Sequence, residues 1–409
     1  MSLLKRWWFI AILCIVILCM LAIVDLHVVV DEQVMLFPTL TTNPPVIPSL
    51  TTTNTPLPFD VVQLATLTPT KLVIPTTVLA TVNSTPTDEE PCIVWVSGGL
   101  ITEIQSIMTV LPAFGDQLSV SDGMIVPTTE QMAAWESIIQ NTTTGNLTAA
   151  CDLIRSNQFP YHLVEFMDTP YNNEKYVILR ENQPISVGWG TYVIRSGASV
   201  NAIVVEVPHP IADENTEVEG VEIFRHLQAR ALLLAGTHRC ANQAFSTCEG
   251  QTVACGVQEP YRSSDVAHTI QSMFQAAHQR LVICGEQTVV IQLHGNGLSS
   301  CPDLFISNAT IFPGTLTHQI YEQARQKCQS FSVDIADGSP SECAFNGGAS
   351  VQAMYTNSCT SSSPQVTCDR FAASPVGPDQ FISLEQSPVF RKDFECLLLA
   401  LMDVFNLHN

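Results

Sequence analysis

Segments of two kinds alternate along the second half of this 409-residue chain, and the alternation limits the fold more than any other feature. Residues 200–210, VNAIVVEVPHP, form a nearly continuous apolar β-branched run, which is typical of a strand buried on both faces. Residues 218–229 have helical spacing of apolar side chains, and residues 230–239 return to a strand-like run. The pattern continues with a helix at 264–281, a strand at 287–297, a helix at 316–330, a strand at 380–387 and a helix at 389–406. The alternation predicts an α/β fold with three layers, in which a mostly parallel, mixed sheet carries helices on both faces.

The region before residue 200 is expected to belong to the same domain. Residues 92–98, 161–169, 175–182 and 189–195 predict strands, and residues 129–140 and 146–157 have helical spacing. We therefore expect one domain over 91–409, with 91–200 as its N-terminal part and 201–409 as its catalytic core.

The first 90 residues are expected to lie outside that domain. Residues 7–24 carry no charge and follow Lys5 and Arg6, so 1–25 predicts a membrane anchor or signal that exports the rest of the chain. Residues 26–90 are rich in Thr and Pro and have no periodicity, which predicts a disordered stalk. The protein is accordingly expected to be membrane-anchored with an extracytoplasmic domain, or secreted.

The charge of the chain excludes one class of partner. There are 38 acidic and 17 basic residues, giving a formal net charge of −21. A field of that sign repels phosphate backbones, so we expect no nucleic-acid partner.

Twelve cysteines follow the N-terminal segment. An even number in an exported chain predicts disulfides, and the CxxC pairs that a cysteine zinc site would need do not occur. Cys248 with Cys255, and Cys359 with Cys368, are close enough in sequence to close small loops, although the sequence leaves the pairing open.

Polar side chains follow four of the predicted strands. Because ligands of open α/β sheets bind beyond the carboxyl ends of strands, we expect these side chains to face one site. A catalytic zinc commonly takes two His and one acid and keeps a position open for water. His209 and His294 each end a buried strand, and Gly295 and Gly297 leave room beside the second. The side chains concerned are His209, Asp213, Glu214, Glu217, His238, Arg239, Asn242, His294 and Glu385.

Three short motifs occur in order at strand ends: PHPIADE (208–214), QLHG (292–295) and FISLE (381–385). Together they resemble the zinc carboxypeptidase superfold, in particular N-formylglutamate amidohydrolases and poly-γ-glutamate hydrolases. The resemblance spans about residues 200 to 390. It implies a zinc-dependent hydrolase of an amide or peptide bond near a carboxylate, acting on a peptide, on poly-γ-glutamate or on a cell-wall fragment.

The resemblance also implies a ligand set. His209 and His294 become zinc ligands. Glu214 becomes the acidic ligand, since the poly-γ-glutamate hydrolase pattern places its Glu five residues after the His. The carboxypeptidases place it three residues after, where this chain has Ala212, so Asp213 and Glu217 remain alternatives.

Further roles follow from the same resemblance. Glu385 matches a late catalytic Glu that exchanges protons with water and the leaving amine. The segment THRCAN (237–242) resembles a substrate-binding segment, which gives Arg239 a catalytic and substrate-binding role beside Asn242 and His238. An ion pair with an acid is the alternative for Arg239, and contact with other site residues is the alternative for His238.

Two other observations bear on function. His268 and His278 lie ten residues apart on a predicted helix, where support of the site or of the helix face is favoured over metal binding. No nucleophile-elbow, P-loop or dinucleotide motif occurs. A non-catalytic cell-surface binding or adhesion module on the same scaffold is the second hypothesis.

Overall fold

The computed structural model describes residues 91–111, 124–195, 201–310, 312–338, 343, 345, 347–359, 368 and 379–407. All of them belong to one compact unit, Ser84–Asn409. The predicted anchor (1–25) and stalk (26–90) lie outside the described residues. Within the described ranges, no helix combines the length and the apolar character needed to cross a membrane.

A ten-stranded mixed sheet forms the centre of the domain. Its order is β1-β2-β3-β4-β6-β5-β9-β12-β10-β11. The strands are β1 (Ile93–Gly98), β2 (Tyr161–Asp168), β3 (Glu174–Glu181), β4 (Thr191–Arg195), β5 (Asn201–Val207), β6 (Ala229–Leu234), β9 (Val289–Gly295), β10 (Leu304–Ser307), β11 (Val333–Ile335) and β12 (Phe381–Gln386). Five neighbouring pairs are parallel and four are antiparallel. The predicted mixed sheet is confirmed, but with parallel pairing in only a small majority.

Helices pack on both faces, as the sequence predicted. They are α1 (Leu100–Met108), α2 (Thr129–Thr143), α3 (Leu147–Ser156), α4 (Thr216–His226), α5 (Met273–Leu281), α6 (Thr315–Lys327), α7 (Val351–Ser358) and α8 (Glu395–Val404). One core cluster joins α1, α4, α6 and α8 to the sheet, and the other joins α2, α3, α5 and α7. In β5 the side chains of Val205 and Val207 enter the first cluster and Val204 enters the second, because successive strand residues point to opposite faces.

Two of the predicted helices are shorter than expected. The segment 264–281 begins with a 3-10 turn, Val266–His268, and α5 starts only at Met273, where the Ser272 hydroxyl caps the helix by accepting a hydrogen bond from the Gln275 N–H. The segment 389–406 likewise divides into a 3-10 turn, Phe390–Lys392, and α8. The sequence pattern did not predict β10, β11, α1 and α7. It also missed a separate hairpin of β7 (Gln251–Thr252) and β8 (Glu259–Pro260).

Six disulfides pair all twelve cysteines after the N-terminal segment, which confirms the predicted framework. The bonds are Cys92–Cys151, Cys240–Cys255, Cys248–Cys368, Cys284–Cys359, Cys301–Cys343 and Cys328–Cys396. The suggested small loops are wrong, because the fold brings Cys248 to Cys368 across 120 residues and Cys359 to Cys284 across 75. Sequence proximity therefore did not indicate the partner.

Candidate metal centre

Three adjacent parallel strands bring the predicted catalytic segments together. β5, β9 and β12 are neighbours in the sheet, so their carboxyl ends meet at one edge. His209 lies just beyond β5, His294 is the second-last residue of β9, and Glu385 lies in β12. All three line one cavity of about 620 Å³. The structure therefore places three of the predicted site residues around a common space.

His209 and Asp213 approach each other across a single helical turn. The backbone N–H of Asp213 donates to the His209 carbonyl at 2.8 Å, which curls the chain back after β5. The His209 Nδ1 atom is then 3.5 Å from the Asp213 Oδ2 atom. Both atoms are buried, and neither has a hydrogen-bond partner among the described residues. Such a pair of buried polar atoms is costly unless a further group binds them.

His294 completes a group that can hold a metal ion. Its ring centroid is 5.2 Å from that of His209. One ligand atom from each of His209, Asp213 and His294 lies within 4.8 Å of the others, and all three residues are buried. Two imidazoles and one carboxylate form a donor set that suits zinc and leaves a coordination position open.

The second nitrogen of each ring is held by an acceptor. His209 Nε2 is 2.9 Å from Asp265 Oδ1, and His294 Nε2 is 2.8 Å from Gln292 Oε1. Histidines that bind metals usually donate their other ring N–H to such an acceptor, which fixes the ring and its tautomer. The Nδ1 atoms are therefore the ones available to a metal.

The carboxylate that joins the two imidazoles is Asp213, whereas Glu214 was the predicted ligand. Glu214 is exposed, and its backbone carbonyl accepts a hydrogen bond from Arg391 Nε at 3.0 Å. The helical turn after β5 sets this choice, because it places residue i+4 rather than residue i+5 beside the His209 ring. Glu217, the other alternative, is half-buried in α4.

A second group of possible ligands, His209, Asp265 and His268, shares one residue with the first. Here the polar atoms already satisfy one another: Asp265 Oδ1 is 2.9 Å from His209 Nε2 and 2.8 Å from His268 Nδ1. Among the described residues, His209 Nδ1 and Asp213 Oδ2 of the first group make no hydrogen bond, whereas the contacting atoms of the second group are bonded to one another. The first group is therefore the better candidate for holding a metal ion.

Arg239 lines the cavity but is already paired. Its Nε and Nη2 atoms donate to Asp265 Oδ2 at 3.0 and 2.6 Å. The ion pair expected as the alternative role of Arg239 is thus present. The Asp265 carboxylate contacts His209, His268 and Arg239 at the same time.

Asn242 and His238 do not occupy the positions expected of substrate-binding groups. The buried Asn242 side chain donates to the Met124 carbonyl at 2.8 Å and accepts from the Ala244 N–H at 2.6 Å, which fixes a loop. His238 Nδ1 accepts from the Cys240 N–H at 3.1 Å. Burial, together with the positive charges of His209 and Arg239, lowers the pKa of His238 to about 4. Neither side chain is among the described residues that line the cavity.

His268 and His278 separate in the structure. His268 belongs to the 3-10 turn, lines the cavity and stacks on Tyr261 with ring centroids 3.8 Å apart. His278 is fully buried in α5, with Nδ1 2.6 Å from Glu206 Oε1. His268 and His278 do not share one helix as expected. His268 contacts Asp265, and His278 contacts Glu206.

Burial and mutual charge set the protonation of the site. Burial, then the nearby Asp213 carboxylate, raises the pKa of Glu385 to about 8. Burial and the charge of His209 hold the pKa of His294 well below its usual range. Burial opposes ionisation of Asp213, yet the contact with His209 keeps the pKa of Asp213 below its usual value. A neutral His294 and an ionised Asp213 are the forms that bind metal.

Several residues of the site were not identified from sequence. The only signal in the sequence for Asp265 was its position three residues before His268. Arg391 comes from the 3-10 turn before α8, and its side chain reaches the Glu214 and Gln386 carbonyls. Gln292, two residues before His294 in β9, carried no signal beyond its place in an otherwise apolar strand.

Comparison with known proteins gives only distant likenesses. No family model matches the chain, and no curated protein matches its sequence. Among solved structures, a protein named putative metallopeptidase from Shewanella amazonensis SB2B aligns at 12% identity over 66% of this chain and 92% of its own, with a TM-score of 0.29. A protein named putative carboxypeptidase from Burkholderia mallei ATCC 23344 aligns at 10% identity over 69% of each chain, with a TM-score of 0.31. Thrombin activatable fibrinolysis inhibitor aligns at 8% identity over 66% of this chain and 80% of its own, with a TM-score of 0.26. Likenesses this distant carry no functional argument, which rests instead on the geometry of the metal centre.

Proposed function

We propose that this protein is a zinc-dependent extracytoplasmic hydrolase of amide or peptide bonds, with zinc held by His209, Asp213 and His294. One observation carries the proposal. The His209 Nδ1 and Asp213 Oδ2 atoms are buried beside His294, 3.5 Å apart, and make no hydrogen bond among the described residues. Each imidazole is held from behind through its Nε2 atom. A bound cation would satisfy both atoms.

The chemistry of such a site follows from its donor set. Zinc in this position would polarise a carbonyl and lower the pKa of water. Asp213 and the two imidazole rings would hold the ion, and Asp265 keeps the His209 ring in place. The cavity beside them is large enough for a short peptide or an N-acyl amino acid, since small-molecule sites have volumes on this scale.

Glu385 is the proton carrier in this proposal. Its carboxyl is buried, lines the cavity and has a pKa of about 8, which permits proton exchange near neutral pH. The ionised form of Glu385 takes a proton from the attacking water as oxygen bonds to the carbonyl carbon. It returns that proton to the amine nitrogen when the carbon–nitrogen bond breaks.

The substrate class is the less specific part of the proposal. Arg239 is the one Lys or Arg side chain among the described residues that line the cavity, and it binds Asp265 through two nitrogens. Recognition of a substrate carboxylate, by Arg239 or by the metal, is therefore the feature to examine with peptide, poly-γ-glutamate and cell-wall substrates. Membrane attachment through residues 1–25 remains part of the proposal.

The decisive experiment is metal analysis of the purified full chain. We expect about one zinc per chain, and at least a tenfold loss of zinc affinity in His209→Ala and His294→Ala with thermal unfolding retained. His318→Ala is the control, because His318 is exposed on α6. A folded chain that binds no zinc would overturn the proposal and favour a non-catalytic binding module.

A further inference from the structure

A chain of buried amides lies behind His294 and ends on a backbone carbonyl. The amide side chains of Gln292, Gln352 and Gln275 have 0% exposure, and so does the neighbouring Glu206 carboxylate. Beginning at the metal site, His294 Nε2 meets Gln292 Oε1 at 2.8 Å, and Gln292 Nε2 meets Gln352 Oε1 at 3.2 Å. Gln352 Nε2 then donates to the Val266 carbonyl at 3.0 Å. The metal site is thus linked by two side-chain amides to the main chain.

The Val266 carbonyl, at the end of this series of hydrogen bonds, determines the direction of each bond in the series. A backbone carbonyl can only accept, so Gln352 must turn its NH₂ group towards Val266. Its oxygen therefore faces Gln292, which must respond with its own NH₂ group. Gln292 is left with only its oxygen to offer His294, and His294 Nε2 must carry the proton.

A second acceptor enforces the same orientation of Gln292. Gln292 Nε2 is 2.9 Å from Glu206 Oε2, and the other oxygen of Glu206 is 2.6 Å from His278 Nδ1. The Ser350 hydroxyl lies 3.1 Å from both Gln292 Oε1 and Gln352 Oε1, and its single hydrogen can be donated to either oxygen. Flipping Gln292 would set its oxygen against the Glu206 carboxylate and against Gln352 Oε1.

We propose that Gln292 and Gln352 are positioning residues that fix His294 as the tautomer protonated at Nε2, so that its Nδ1 lone pair faces Asp213 and His209. The segment Asp265–Val266 then determines how both imidazole rings are held. The Asp265 side chain holds the His209 ring directly, and the Val266 carbonyl sets the His294 ring through two amides. This inference rests on the proposed zinc site for its consequence, but the tautomer itself is a property of the metal-free chain.

The first measurement is the tautomer of His294 in the metal-free full chain, read from the ¹⁵N shifts of its ring. We expect the Nε2-protonated form in the wild type and a mixture, or the Nδ1-protonated form, in Gln292→Leu. The control is Gln275→Leu. Gln275 is equally buried and accepts from Gln352 Nε2 at 2.9 Å, but it is not needed to orient Gln352 while the Val266 carbonyl remains.

The second measurement is zinc affinity, determined by competition with a chelator. Loss of an acceptor behind a metal-binding histidine typically weakens binding by about 10–100-fold, so we expect that loss in Gln292→Leu and less than a threefold change in Gln275→Leu. Should Gln292→Leu fail to fold, Gln352→Leu replaces it in both measurements. Because that variant removes one of the two acceptors facing the Gln292 amide, a smaller, severalfold loss is expected.

The outcomes separate this inference from the proposed function. An unchanged tautomer and unchanged zinc affinity in a folded Gln292→Leu chain would overturn the positioning role while the zinc site survives. In Gln352→Leu, where Glu206 still faces the Gln292 amide, an unchanged zinc affinity would overturn the part assigned to Gln352. A wild-type chain that binds no zinc would overturn the proposed function, and the ring ¹⁵N shifts would still decide whether the amides set the tautomer.

Discussion

Glu385 and His294 are direct neighbours in the register of two parallel strands, β12 and β9. This pairing places a buried carboxyl beside a proposed metal ligand with no loop between them, so the spacing is set by the sheet itself. Sites built on strands hold their geometry more precisely than sites built on loops. The pairing also gives Glu385 a role that can be separated from metal binding.

We expect Glu385→Gln to keep zinc and to lose hydrolysis. The amide cannot take the proton from water, and removal of a general acid–base group typically costs about 10²–10⁴ in rate. Zinc content and the turnover of a panel of peptide and N-acyl amino acid substrates provide the measurement. Glu395→Gln, at an exposed position of α8, should leave both unchanged. Full turnover in Glu385→Gln would remove this residue from the mechanism.

Asp213→Asn and Glu214→Gln should differ in their effect on zinc. Asp213 meets the two imidazoles, whereas Glu214 is exposed. We expect at least a tenfold loss of affinity in the first variant and no measurable change in the second. Chelator competition on both chains makes the comparison, and the opposite order would return the acidic ligand to Glu214.

Gly295→Ala should damage the site, and Gly297→Ala should not. A Cβ atom at Gly295 would overlap Arg391 Nη1 and lie 2.8 Å from Asp213 Oδ1, whereas nothing lies within 4 Å of a Cβ at Gly297. We expect a destabilisation of about 1–3 kcal/mol for the first variant and a change within about 0.5 kcal/mol for the second. Thermal unfolding, followed by zinc titration, measures the difference. Equal stability of the two variants would show that Arg391 does not pack against the Gly295 backbone.

Glu219→Gln should flatten the pH dependence of stability. Burial raises the pKa of Glu219 to about 8, and only its Oε2 atom has a partner among the described residues, the Gln386 NH₂ group at 3.0 Å. Because the folded chain keeps a proton that the unfolded chain releases near pH 4.5, stability falls as the pH rises from about 4.5 through about 8.

The measurement is the melting temperature between pH 5 and 9. We expect the wild type to lose more of its melting temperature across this range than Glu219→Gln does. Glu385 keeps some pH dependence in both chains, since burial also raises its pKa. Glu322→Gln, which is exposed on α6, is the control and should follow the wild type. Parallel curves for wild type and Glu219→Gln would contradict an unionised buried Glu219.

The parts of the site that lie on strands were predictable from sequence. β5, β9 and β12 are apolar runs that end in polar residues, and parallel strands bring such ends to one edge. His209, His294 and Glu385 were therefore identified by position alone. The strand order, which placed these three strands side by side, is a long-range property that the local pattern does not contain.

The parts that depend on loops and turns were not predictable in this way. Asp213, rather than Glu214, lies beside the His209 ring because one helical turn follows β5. Short sequence motifs do not distinguish two acidic residues that are adjacent in the chain. Asp265 approaches His209 from 56 residues away, through a 3-10 turn that the sequence pattern presented as part of a longer helix. Disulfide partners are likewise determined by the fold rather than by their separation along the chain.

Two disulfides, Cys240–Cys255 and Cys248–Cys368, attach the hairpin whose residues form one wall of the cavity: Cys255 lies between β7 and β8, and Cys248 just before β7. The strand residues of that hairpin are exposed or half-buried, and the two disulfides are covalent ties between it and the rest of the domain. Closing these two bonds is an oxidation, so we expect the hairpin to be tied to the rest of the domain only where thiols are oxidised. In protein made in a reducing cytosol, we expect the hairpin of β7 and β8 to lack these two covalent links. Assays should therefore use protein produced where thiols are oxidised.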